Sequence, residues 1–166
     1  MGEAADLVIY GMKGSPFVRK VQVLLAEKGV DFEVKGVNIF PAPEWFAEIN
    51  PAKRIPVLRD RSVGAEGVAG TIPDSSAICA YLERKHPEPA LYPKDAFAYG
   101  RALWLEEYVD IAVAAQFVNL RLAGGSVDAA CWPKLAAYAL RIHARPSFAA
   151  CIEDENRLFP PGDYEL

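Results

Sequence analysis

Three short segments hold residues that could do chemistry together. The first is Gly14-Ser15-Pro16. Serine is a favoured N-cap and proline is favoured directly after it. A cap alone accounts for the triplet. The same geometry can also serve catalysis, because a helix start has unpaired N–H groups and partial positive charge. A hydroxyl placed there can donate to a thiolate, lower the pKa of a bound thiol and make it nucleophilic near neutral pH. Nothing nearby suggests serine nucleophilic catalysis. His86 and His143 are remote in sequence and stand at expected helix ends, which suits surface or capping roles.

The second segment is Asn50-Pro51-Ala52-Lys53-Arg54-Ile55-Pro56-Val57-Leu58. A cis bond before Pro56 would be a specific feature at the start of a strand. It would turn the backbone N–H and C=O of Val57 outward, where an extended peptide could pair with them as a further strand. Lys53 and Arg54 could hold a peptide carboxylate. A solvated basic pair beside a trans proline is the plainer alternative. The third segment is Pro73-Asp74-Ser75-Ser76-Ala77-Ile78, another helix start. Asp74 and the serines could simply cap it. Alternatively, Ser75 and the helix terminus could bind a carboxylate while Asp74 pairs with an ammonium, so that this end reads an α-amino acid.

The elements that must position these residues follow from apolar spacing. Leu7-Val8-Ile9-Tyr10 is a short apolar run ended by Gly11 and predicts a buried strand. Phe17, Val18, Val21, Leu24 and Leu25 recur three or four apart and predict a helix stopped by Gly29. Phe32, Val34 and Val37 suggest a second strand, and a short helix fits from 44 to 49 between Pro43 and Pro51. Residues 55–58 predict a third strand opening near a proline, 60–67 a turn, 68–72 a weak fourth strand, and Ile78, Tyr81 and Leu82 a helix. This β-α-β-α-β-β-α order predicts a mixed four-stranded sheet with helices on its faces. The proline-rich stretch 87–93 reads as a linker. Beyond it the pattern is helical: 97–122, 132–144 and a last short helix at 147–151, with an irregular tail.

Composition narrows the class. The 166 residues carry 18 Lys and Arg against 22 Asp and Glu, a net charge of −4, and 52% are hydrophobic. A packed core is expected, while the dispersed basic residues exclude an evident nucleic-acid surface. Cys79, Cys131 and Cys151 are far apart and form no CxxC or Cys/His cluster, so neither a metal nor a disulfide framework is expected. All three read as small apolar residues in helices. Residues 1–6 lack an apolar stretch of signal-peptide length and no run of 18 apolar residues occurs, so the expectation is a cytoplasmic protein without a membrane span.

Taken in order, Ser15-Pro16-Phe17-Val18-Arg19-Lys20-Val21, Ala26-Glu27-Lys28-Gly29, Asn50-Pro51-x-x-Arg54-Ile55-Pro56-Val57-Leu58 and Asp74-Ser75-Ser76-Ala77-Ile78 resemble the N-terminal domain of the glutathione S-transferase superfamily. The resemblance spans about 80 residues and is to the serine type, similar to tau, theta and related bacterial members. It implies a thioredoxin-like α/β domain at 1–86, a linker at 87–94 and an all-α domain at 95–166. It implies that Ser15 activates the glutathione thiol, that Pro56 is cis and that the Val57 backbone pairs with the cysteinyl part. Asp74 and Ser75 would hold the γ-glutamyl end, although many members have glutamate where Asp74 stands. Arg54, or Lys53 beside it, would hold the glycyl carboxylate, with Ile55 in the same stretch. A homodimer is implied too. The thiol-transferase branches use cysteine at the position of Ser15, which disfavours disulfide exchange through a protein thiol.

The second half resembles the family's helical domain only in parts. Trp104 and Tyr108 fit its first helix, and Trp132-Pro133-Lys134-Leu135 and residues 141–148 resemble its end. Several tens of residues of the family pattern are absent around Tyr108 to Ile111, and Glu107 stands where a capping serine or threonine is usual. Either a stretch is lost there, or 97–122 form one fused helix of about 26 residues, roughly 39 Å long. The helical domain supplies much of the wall for the electrophilic co-substrate in this family. Met12, Phe17 and Tyr108 are the candidates for what wall remains. The activity implied is addition of the glutathione thiolate to a small apolar electrophile. The alternatives are a non-catalytic glutathione-binding or scaffold protein and a glutathione-dependent peroxidase acting on organic hydroperoxides.

Overall fold

Strand β1, Leu7–Gly11, is buried along its whole length, and its alternating side chains feed two separate cores. Leu7 and Ile9 join Val18, Val21, Leu25 and Leu58 on one face of the sheet, and Val8 and Tyr10 join Val37, Phe46 and Val57 on the other. The structure is a computed structural model and describes residues 5–108, 118–120 and 125–158. The chain divides into two compact units, Met1–Tyr92 and Pro93–Leu166.

In the first unit, β1 pairs in parallel with β2, Phe32–Gly36, and antiparallel with β3, Val57–Asp60, which pairs antiparallel with β4, Thr71–Pro73. The order β2-β1-β3-β4 gives the mixed sheet expected of a thioredoxin-like domain. Helix α1, Pro16–Lys28, is the β1-to-β2 crossover. Ser15 caps it, Pro16 opens it, and Gly29 closes it at φ 64° by donating to Ala26 and Leu25 carbonyls. Gly11 lets this helix come close: a Cβ there would stand 2.4 Å from Val18 Cγ2. Helix α2, Ser75–Lys85, lays Ile78, Cys79 and Leu82 into the same core as α1. The opposite face is covered by a 3-10 turn, Glu44–Glu48, whose Phe46 is fully buried.

Several boundaries differ from the sequence reading. The third strand begins at Val57 and runs to Asp60, two residues later than the pattern placed it, because Pro56 has no N–H for a ladder. The fourth strand is only Thr71–Pro73. Gly67–Gly70 before it form a 3-10 turn, held where the Thr71 hydroxyl donates to Ile49 O at 2.7 Å. Residues 87–92 are held to the first unit. The Lys28 ammonium, its side chain wholly buried, donates to His86 O at 2.7 Å and Pro89 O at 3.0 Å and pairs with Glu83 Oε2 at 2.7 Å. Glu83 Oε1 in turn accepts from Leu91 N–H at 3.0 Å and Tyr92 N–H at 3.3 Å.

The second unit is helical. It contains α3, Ala96–Tyr108, α4, Pro133–His143, and α5, Pro146–Leu158. The last is 13 residues long rather than the short helix expected, and Arg157 braces its end with Glu153 at 2.6 Å and Asp154 at 3.7 Å. The fused helix expected over 97–122 falls largely outside the described residues; beyond α3 only 118–120 are described within it, and they are helical. One cysteine departs from expectation: Cys79 is buried in α2 and Cys151 lies in α5, but Cys131 is exposed in the turn before α4.

Candidate functional site

Register brings the three segments to one end of the sheet. Val57 opens β3 and stands opposite Tyr10, near the end of β1, and opposite Pro73, the last residue of β4. The chain leaving β1 reaches Ser15 and α1, and the chain leaving β4 reaches Asp74 and α2. The starts of α1, β3 and α2 therefore share this end. Pro73 has no N–H, so it cannot donate to β3 opposite Val57.

Ser15 Oγ accepts the Val18 N–H at 3.4 Å, a long bond. That bond uses an oxygen lone pair and leaves the hydroxyl proton to be donated elsewhere. The loop before it is fixed by the Ser15 N–H donating to Met12 O at 3.3 Å, with Gly14 at φ 91°. Ser15 and Met12 are half-buried, and Phe17 is half-exposed. Tyr108 is the last residue of α3, and its side chain lies outside the described residues.

The loop before β3 is organised by a residue the sequence reading gave no role. Asn50 is buried, donates from Nδ2 to Arg54 O at 2.8 Å, accepts Ala52 N–H at 3.2 Å and receives the Lys53 N–H at its own carbonyl at 2.9 Å. Lys53 adopts a left-handed φ of 50°. Their backbone thus pinned, Lys53 and Arg54 expose their side chains. Ile55 is half-buried between both cores, the Ile55–Pro56 bond is cis, and the Pro56 and Val57 side chains are buried. The signal for Asn50 was present: Asn-Pro favours a turn that the asparagine side chain can close.

Asp74 caps α2. Its Oδ1 accepts Ser76 N–H at 2.9 Å and Ala77 N–H at 3.1 Å, so Oδ2 is not part of the cap. Asp74 is exposed and adopts φ 77°, a region costly for a side-chain-bearing residue and one that clusters at functional sites. Ser75, the first helical residue, is buried. Ser76 Oγ receives the Lys20 ammonium at 2.8 Å, a contact between α1 and α2 with no sequence signal.

The opposite end of β3 holds a different cluster. Asp60, buried, accepts from Ser62 N–H at 2.9 Å, Ser62 Oγ at 2.5 Å, Tyr81 Oη at 2.5 Å and the Lys85 ammonium. Burial pushes the Asp60 carboxyl up, but Lys85, Ser62 and Tyr81 outweigh it and hold its pKa at about 2. Burial also pushes Lys85 down, and its bond to Asp60 more than offsets that, leaving its pKa raised. This cluster fastens α2 to β3 and lies away from Ser15.

Comparison with known proteins gives the family of the chain. Residues 9–90 match the family model for the glutathione S-transferase N-terminal domain. Mouse glutathione S-transferase omega-1 is 32% identical over 113 residues, covering 67% of this chain and 45% of that protein. Among solved structures, a glutathione S-transferase from Rhodospirillum rubrum superposes with a TM-score of 0.73 at 24% identity, covering 95% of this chain and 96% of that one. Rice GST1, solved in complex with glutathione, superposes with a TM-score of 0.72 at 21% identity, covering 94% and 97%. The chain spans about half or less of the length of the first curated relatives it matches. With a thioredoxin-like unit, helix starts gathered at one sheet end, a helical second unit and these likenesses, the chain belongs to the glutathione S-transferase superfamily.

Proposed function

We propose that this protein is a glutathione transferase that binds glutathione at the shared end of the sheet and adds its thiolate to small apolar electrophiles. The observation that carries the reading is the convergence of Ser15, the opening of β3 and Asp74 at that end. Glutathione has an amino acid at one end, a thiol in the middle and a carboxylate at the other. The three segments offer chemistry to match each part. Asp74 Oδ2, outside the cap, takes the γ-glutamyl ammonium, and Ser75 at the start of α2 takes its carboxylate. The Val57 backbone pairs with the cysteinyl part as a strand would, with Ile55 and Pro56 shaping the approach. The exposed Lys53 and Arg54 side chains take the glycyl carboxylate.

Ser15 supplies the catalytic step. The thiol gives its proton to solvent, the Ser15 hydroxyl donates to the resulting thiolate, and the positive end of α1 favours the charge. The sulfur lone pair then forms a bond to the electrophilic carbon as that carbon's leaving group, or the π pair of its double bond, departs. Met12 and Phe17, beside Ser15, are proposed as wall for this second substrate. A cysteine-based exchange at this end is disfavoured, because serine stands at 15 and Cys79 is sealed in the core. Domains at 1–86 and 95–166, joined by a linker at 87–94 whose residues up to 92 are fastened to the first, a homodimer and a cytoplasmic location belong to the same proposal.

Titrating glutathione with and without the protein while following thiolate absorbance tests it. The bound thiol is expected to ionise below its ordinary value of roughly 8.5. Ser15→Ala is expected to return the midpoint toward that value and slow conjugation about a hundredfold. Equal rates in parent and Ser15→Ala would overturn the assignment. Glutathione binding without conjugation or hydroperoxide reduction would mark a binding protein instead, and turnover of hydroperoxides alone would mark a peroxidase.

A further inference from the structure

Lys20 is buried to within 4% of its surface although it carries an ammonium. It stands in α1, five positions after Ser15, and its Nζ donates to Ser76 Oγ at 2.8 Å. Ser76 stands in the first turn of α2, where its N–H is already held by Asp74 Oδ1 at 2.9 Å. One side chain thus ties the helix that starts at Ser15 to the helix start that holds Asp74 and Ser75. The α1–α2 contact also has an apolar core, in which Val21, Leu24 and Leu25 meet Ile78, Cys79 and Leu82, and the Lys28–Glu83 ion pair at 2.7 Å toward the far ends of both helices. The apolar packing is strong but non-directional. A charged hydrogen bond fixes a point. Burying an ammonium is expensive, and methionine would fill a similar volume without that cost. A buried lysine at this place serves geometry better than it serves stability.

Resting on the glutathione reading above, we propose that Lys20 is a positioning residue for the γ-glutamyl end of the site. It holds Asp74 and Ser75 in register with Ser15, so that one tripeptide reaches both helix starts. It does not touch the thiol, so its removal weakens binding without altering thiol ionisation.

Calorimetric titration of the full chain with glutathione, together with the pH midpoint of bound-thiolate absorbance, tests this. Lys20→Met and Ser76→Ala are each expected to raise the glutathione Kd about tenfold, the scale of one charged hydrogen bond. The thiolate midpoint is expected to stay at the parent value in both. Lys20→Arg, which keeps a donor, is expected to recover most of the affinity. The Lys20→Met/Ser76→Ala double variant is expected to bind no worse than the weaker single variant, because both remove one contact. Parent-like affinity in both single variants, additive losses, or a thiolate midpoint that moves with affinity would each overturn the proposal. If Lys20→Met does not fold, Ser76→Ala decides alone, and parent-like affinity there overturns it. Failure of the parent chain to bind glutathione overturns the glutathione reading and this one with it. Binding by the parent with unchanged variants overturns only this one.

Discussion

At the scale of single residues, the helix caps serve two purposes that one substitution can separate. Asp74 closes α2 through Oδ1 and is proposed to receive an ammonium through Oδ2. Asparagine caps about as well as aspartate but carries no charge. Asp74→Asn is therefore expected to leave the urea unfolding midpoint close to the parent and to weaken glutathione binding about tenfold. Asp74→Ala is expected to lose about 1 kcal/mol of stability as well. Denaturation and calorimetry on the two variants separate cap from ligand. A fall in stability equal in both would make the cap the whole role. Ser15 was legible as a cap from Ser-Pro before a helical pattern, and Asp74 from its place before Ser-Ser-Ala-Ile. Lys20 was not legible, because its partner is 56 positions away and nothing local marks it.

At the scale of elements, the sheet is set by alternation and the helices by caps. Their mutual fastening is set by buried polar contacts. Asp60 fastens β3 to α2 through Tyr81 and Lys85. A carboxyl held at about 2, against an ordinary 3.8, favours the folded state whenever it is ionised. The stability it contributes is fully present above pH 4 and is lost as the pH falls from about 4 to about 2. Nearly two pH units correspond to roughly 2 kcal/mol. Asp60→Asn is expected to lower stability at pH 7 by about that amount and to flatten the fall between pH 4 and 2. Urea midpoints across this range check it, and an unchanged acid slope would dismiss Asp60 as the source. The turn at 60–67 was legible from Asp, Ser and Gly, but the role of Asp60 was not. It depends on Tyr81 and Lys85 arriving from a helix about 20 positions later.

At the scale of the whole molecule, the chain separates after Tyr92, and the first unit keeps residues 87–92. Lys28 is the reason: three oxygens surround its buried ammonium, and one of them is Pro89 O. A fragment ending at residue 86 removes Pro89 O from Lys28 and the Leu91 and Tyr92 N–H groups from Glu83. Unpaired buried polar groups cost about 1–3 kcal/mol each. A 1–92 fragment is expected to unfold cooperatively in urea. A 1–86 fragment is expected to be less stable by a few kcal/mol or to fail to fold. Equal midpoints would show that the segment does not brace the unit.

The order of elements, the apolar faces, the two helix caps and the serine at position 15 follow from the sequence alone. Each rests on neighbours within a few residues: Leu7 to Tyr10 for β1, the three- and four-residue spacing for α1, Gly29 for its end. Only the tertiary structure decided that Asn50 clamps the loop of Lys53 and Arg54, that Lys20 reaches Ser76, that Asp60 is ringed by donors and that Lys28 holds residues 87–92. These are contacts made by long or buried polar side chains to groups distant in sequence. Periodicity records which face of an element leaves water, because burial of apolar surface is non-directional. It does not record which polar atoms meet there, because a hydrogen bond requires a particular partner at a particular distance and angle.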